Sequence, residues 1–175
     1  MNSLFRIQNE VDARVRAIRA SRPDWPCGKG CDACCRRLAE VPRLTPSEWG
    51  LLQVGLAALP RQRLREIDRD VAALSHRRSR PIVCPLLDPA SGCCLVYAQR
   101  PLACRTYGFY VQRGLGLYCR EIETRVAAGD LADVVWGNQD AIDCGLAGLG
   151  EARALTDWFS DRTGESDGEG EEASN

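Results

Sequence analysis

Nine residues near the start of the chain, Cys27-Gly28-Lys29-Gly30-Cys31-Asp32-Ala33-Cys34-Cys35, hold four thiols. Four more return at Cys84, Cys94, Cys104 and Cys119, with no histidine among them. Thiolates are soft donors suited to zinc and to iron–sulfur centres, and short spacings let neighbouring backbone turns aim several sulfurs at one point. Eight such ligands make two tetrahedral all-thiolate sets or one larger polynuclear site. Cys34 and Cys35, adjacent on what reads as extended backbone, are expected to diverge and to serve two metals, or two corners of one cluster. A disulfide between them would close a strained ring.

Arginines stand beside these thiols: Arg36 and Arg37 after the first group, Arg100 and Arg105 around Cys104, and Arg120 after Cys119. Four thiolates on a divalent ion leave two negative charges, which nearby guanidinium groups offset. Arg105 is the arginine expected to support the bound group. Cys27, Cys31 and Cys34 also reproduce the C-x3-C-x2-C spacing of radical SAM enzymes. Ala33 stands where those enzymes usually carry an aromatic residue, however, and 175 residues are too few for their barrel. His76, the only histidine, reads as an exposed residue at a helix end, so a Cys/His nucleophile pair has little support. No Gly-rich loop ending in Lys-Ser or Lys-Thr signals a nucleotide phosphate.

The elements that must position these thiols are mostly helical. Leu4, Ile7, Val11, Val15 and Ile18 recur at steps of three and four, which predicts an amphipathic helix ended by the Arg22-Pro23-Asp24-Trp25-Pro26 break. Thr45-Pro46-Ser47-Glu48 reads as a capping box opening a second helix, and a third follows Pro60 with Leu64, Ile67, Val71 and Leu74 inward. These two are expected to form a helical hairpin. Cys84 to Tyr97 reads as a small β-hairpin turning at Pro89-Ala90-Ser91-Gly92, and Pro101 starts a helical turn through Cys104. Gly108, Gly114 and Gly116 mark a loop before Cys119, with helices expected at 121–128, 131–147 and 150–159.

Composition narrows the rest. Ten cysteines without a secretory signal favour metal or redox chemistry over a disulfide framework and suggest a cytoplasmic chain. No apolar run is long enough for a membrane span. The net charge of −1 includes the acids Glu165, Asp167, Glu169, Glu171 and Glu172 in a tail without large apolar residues. That tail, 163–175, is expected to be disordered. The remaining body is mildly basic but lacks the stacked aromatics of nucleic-acid binders, so neither nucleic acid nor membrane is expected as a partner. The expected fold is mostly α: a single small helical domain over 1–162, with a short β-hairpin and Cys-rich loops organised around a metal site.

The order of motifs is itself informative. C-x3-C-x2-CC, then Cys84-Pro85-Leu86, Gly92 leading to Cys94-Leu95-Val96-Tyr97, Arg100-Pro101-Leu102-Ala103-Cys104-Arg105 and finally Cys119 closely resembles the YkgJ-type cysteine cluster family, a zinc- or iron-chelating domain. The resemblance spans Cys27 to Cys119. It implies ligand roles for Cys27, Cys31, Cys34, Cys35, Cys84, Cys94, Cys104 and Cys119, and none for Cys93 or Cys144. A flagellin lysine methylase is similar in carrying a related cysteine domain with an iron–sulfur centre. The expected function is therefore metal binding in a structural, carrier or sensor role. Iron, as an iron–sulfur cluster, is preferred slightly over zinc, and the metal ion is the one partner that can be named. The alternative is an iron–sulfur-dependent enzyme of redox chemistry or protein modification.

Overall fold

Apolar periodicity at the N-terminus becomes a helix that packs into one of the molecule's two hydrophobic clusters. The computed structural model describes residues 3–77 and 79–166. Helix α1 (Ser3–Ser21) buries Leu4, Ile7, Val11 and Ile18 on one stripe, as its three- and four-residue steps require. A two-residue strand β1 (Arg43–Leu44) leads into α2 (Pro46–Ala57), whose capping box forms as the sequence predicts. Glu48 N donates to Thr45 Oγ1 at 3.4 Å, while Thr45 N donates to Glu48 Oε2 at 2.9 Å. Helix α3 (Arg61–Ser75) follows and buries Ile67 and Val71. His76 is its exposed C-terminal cap.

The cysteine hairpin is present as β2 (Leu87–Asp88) antiparallel to β3 (Cys93–Cys94), with Leu87 opposite Cys94. A 3-10 turn (Tyr97–Gln99) and α4 (Leu102–Thr106) carry the chain past Cys104. The stretch expected to be a glycine loop is instead a second hairpin, β4 (Tyr110–Gln112) with β5 (Leu115–Leu117). Arg113 and Gly114 both take positive φ, 49° and 80°, which is the mirror-image turn that suits the twist of two-residue hairpins. Helix α5 (Arg120–Ala127) comes next. The expected helix over 131–147 is shorter, because β6 (Gly137–Asn138) pairs parallel with β4 and Asn138 caps α6 (Gln139–Ala147). Last come β7 (Arg153–Ala154), antiparallel to β1, and α7 (Leu155–Ser166). Residues 167–175 of the expected acidic tail lie outside the described residues.

About half of the chain is helical, and the strands are short, so the fold is mostly α with three small sheets among the described residues. The expected α2–α3 hairpin is not the main packing of α3, which lies chiefly against α7. The β1–β7 pairing explains this, since it delivers Leu155 and Phe159 into the core under α2 and α3. Among the described residues no helix is long and apolar enough to cross a membrane.

Two hydrophobic clusters result. One gathers α1, Trp25, Leu102, Phe109, Tyr110, Ile122 and Ile142, with Trp25 5.7 Å from Phe109 and 5.5 Å from Trp136 between ring centroids. The other gathers Leu44, Leu52, Leu56, Ile67, Val71, Leu86, Val96 and Leu155, with Trp49 stacked 5.8 Å from Trp158. Cys27 and Cys119 pack on the first cluster, Cys84 and Cys94 on the second. Sulfur therefore lies at the edge of both cores. Glu48 ties the two together, because its Oε1 accepts from Leu102 N at 2.9 Å while its Oε2 serves Thr45.

Candidate metal centre

Tight turns shape the first cysteine segment. Cys31 N donates to Gly28 O at 3.1 Å, and Arg36 N donates to Asp32 O at 2.9 Å. Cys27, Cys31 and Cys34 consequently line one narrow cleft, together with Cys119 at the N-cap of α5. Tyr107, Gly108, Glu121 and Ile122 complete its walls. Gly108 lies where only glycine fits: its φ is +90°, and an added Cβ would stand 2.9 Å from Cys27 Sγ. Gly108→Ala is expected to displace Cys27 and to cost roughly 1–3 kcal/mol of stability, measured by denaturant unfolding.

The other four cysteines come together by backbone pairing. Cys84 N donates to Cys35 O at 2.7 Å, beside an isolated bridge between Leu38 and Ile82. Cys84 and Cys94 both act on the Cys35 thiol and raise it. Cys104, on α4, is raised by burial and by the charges of Cys94, Cys35 and Cys34. Cys27, Cys31, Cys34 and Cys119 thus share one cleft, while Cys35, Cys84, Cys94 and Cys104 are linked through the charges that act on Cys35 and Cys104, with Cys34 also acting on Cys94 and Cys104. The groups meet at Cys34 and Cys35. These two occupy a turn rather than extended backbone, and their sulfurs do not diverge but approach to 3.9 Å.

All ten cysteines are free thiols. Burial pushes Cys27 and Cys104 up to about 12, with neighbouring cysteines adding to it and Arg100 opposing. At Cys35 the contact with Cys34 lowers the value, but contact with Cys84 and burial outweigh it and the result is about 12. Cys34 is raised first by its hydrogen bond to Cys35 and then by burial, and Cys94 is raised by burial. These groups hold their protons more tightly folded than unfolded. Their contribution to stability is complete below the ordinary thiol value of 9.0 and is lost as pH rises toward about 12. Metal-free chain is accordingly expected to weaken through that window, read as a falling unfolding midpoint in a pH series.

Among the described residues no three Cys, His, Asp or Glu groups stand as a ready-made ligand set. A soft divalent cation would displace the thiol protons, and the all-sulfur composition of both groups fits such an ion.

Arg105, expected to support the bound group, is engaged elsewhere. Its guanidinium bonds Asp12 at 3.2 Å, the Arg100 carbonyl at 3.0 Å and the Ala98 carbonyl. That ties α1 to the segment before α4. Arg100 is the arginine whose charge reaches Cys27, Cys94 and Cys104. It stacks 3.6 Å above the Tyr97 ring and donates to Tyr97 O at 3.1 Å. Lys29 lies 5.6 Å from the centroid of the same ring, so Tyr97 links the first cysteine loop to the second group. The signal for Arg100 was its place three residues after Tyr97 and directly before Pro101. Arg36 is held by Asp32 at 2.6 Å. Cys144 is exposed on α6, and Cys93 pairs across the hairpin with Asp88.

A sequence family matches residues 26–130, and its description is "Putative zinc- or iron-chelating domain", with the name CxxCxxCC. The chain belongs to the CxxCxxCC family. The matched span contains both sulfur groups, and it departs from the spacing in the family's name only between Cys27 and Cys31, where three residues intervene. The CxxCxxCC match agrees with the resemblance carried by the cysteine order, and it supports metal binding by zinc or iron. Comparison with curated proteins and with solved structures gives no match.

Proposed function

We propose that this CxxCxxCC chain chelates two metal centres, one at Cys27, Cys31, Cys34 and Cys119 and the other at Cys35, Cys84, Cys94 and Cys104. The observation that supports the reading is that free thiols lie at the edges of both cores, with Cys27, Cys31, Cys34 and Cys119 lining one cleft and Cys84 bonded through its backbone to Cys35. All-sulfur ligation without histidine suits iron, as an iron–sulfur centre, and zinc is the alternative. The metal would join the two cores along their sulfur-bearing edges, a structural role that a carrier or sensor builds upon. Arg100 offsets the negative charge of both groups, and Arg105 holds the segment that carries Arg100. The site works in a cytoplasmic chain whose thiols are kept reduced.

Metal analysis of protein purified without oxygen tests this. Iron with acid-labile sulfide and a brown colour is the expected result, whereas a colourless chain with two zinc ions would select the alternative metal. A metal content near zero in a fully folded chain would reject the proposal.

A further inference from the structure

The two sulfur groups are built differently. Cys35, Cys84 and Cys94 are held by cross-chain backbone bonds: Cys84 N to Cys35 O at 2.7 Å, the Leu38–Ile82 bridge, and Cys94 paired with Leu87. Cys104 lies in a helix whose first amide is fixed by Glu48. The first group instead includes Cys31, which is exposed, whereas the seven other cysteines of the two groups are half-buried. Cys31 stands at the end of Gly28-Lys29-Gly30, where Gly30 has φ +92° and open space around it. All four residues of this group line the one cleft, and Cys31 is its exposed member.

We infer that the group of Cys27, Cys31, Cys34 and Cys119 is the exchangeable site, which passes its metal to an external thiolate, while the group of Cys35, Cys84, Cys94 and Cys104 retains its metal. The inference rests on the two-centre reading above. Ligand exchange at an all-sulfur site starts with the sulfur that can leave and return at least cost. Cys31 meets that condition, since its loop carries glycine on both sides of Lys29 and its side chain already faces water. In the exchange Cys31 gives up its bond to the metal and takes a proton, while an incoming thiol loses a proton and forms the replacing bond. No electrons change hands, and the acceptor class is a small thiol or a cysteine-bearing protein.

Zinc is the probe. The full-length chain, reduced, stripped and reloaded, is expected to hold two zinc ions; fewer than two would reject the two-centre reading itself. With two bound, a chelator challenge in the presence of a small thiol should release one ion at least tenfold faster than the other. Alkylation mapped after the fast phase should mark Cys27, Cys31, Cys34 and Cys119 before Cys84, Cys94 and Cys104. Cys31→Ser should retain one zinc and show only the slow phase. Release of both ions in one phase, or early alkylation of Cys84 and Cys104, would overturn the inference in the wild-type chain, whatever the variant does.

Discussion

Cys104→Ser is expected to empty the second sulfur group and to lower the thermal midpoint by about 10 °C. Cys104 stands on α4 among Cys94, Cys35 and Cys34, in surroundings that desolvate it. A serine hydroxyl is a hard, protonated donor and does not replace a thiolate on zinc or iron. Metal bound to a folded site contributes to stability directly, so losing one ligand of four removes several kcal/mol of it. For a chain of this size each kcal/mol moves the midpoint by roughly 2–4 °C. Metal analysis and scanning calorimetry, with and without chelator, check the result. Cys144→Ser on the exposed face of α6 is the control and should change stability by no more than about 0.5 kcal/mol. A Cys104→Ser protein with its full metal content would refute the ligand assignment.

Glu48→Ala is expected to destabilise the chain by about 4 kcal/mol. The Glu48 side chain is buried, with 4% of its surface exposed, yet among the described residues it pairs with no cation. What holds it is three donors: Thr45 N at 2.9 Å, Thr45 Oγ1 at 3.0 Å and Leu102 N at 2.9 Å. Removing the carboxylate leaves those donors facing an apolar space, and one of them begins the helix that carries Cys104. Glu48→Gln should lose about half as much, because an amide offers one accepting oxygen where the carboxylate offers two. Urea unfolding of the three proteins, metal-loaded and metal-free, measures both effects. An equal cost for Ala and Gln would show that the two accepting oxygens do not act separately.

Much of this arrangement is legible in the residues, and the exceptions share a cause. The stripe from Leu4 to Ile18, the Thr45–Glu48 box and the Leu87–Cys94 pairing are local patterns, each contained within a few turns of chain. What escapes is fixed by partners far along the sequence. Gln112-Arg113-Gly114-Leu115 lacks the Asn-Gly dipeptide that announces a hairpin, and its Arg113 amide is satisfied by Asp140 Oδ2 at 3.1 Å. Gly137 joins β4 with the Tyr110 ring where a side chain would otherwise stand, which shortens the helix expected from 131. The cysteine set followed from residue type and order, whereas the cleft shared by Cys27, Cys31, Cys34 and Cys119 needed the fold. Arg105 and Arg100 differ in role for the same reason: Asp12, 93 residues away, occupies the first.

The division of the tryptophans follows the division of the cores. Trp25 and Trp136 neighbour one another beside the cluster that bears Cys27 and Cys119, while Trp49 and Trp158 stack in the one that bears Cys84 and Cys94. Emission from the indoles therefore carries two separable signals. With Trp49 and Trp158 changed to phenylalanine, the surviving fluorescence would watch one half alone, so the molecule already contains an optical gauge for each side of its sulfur seam.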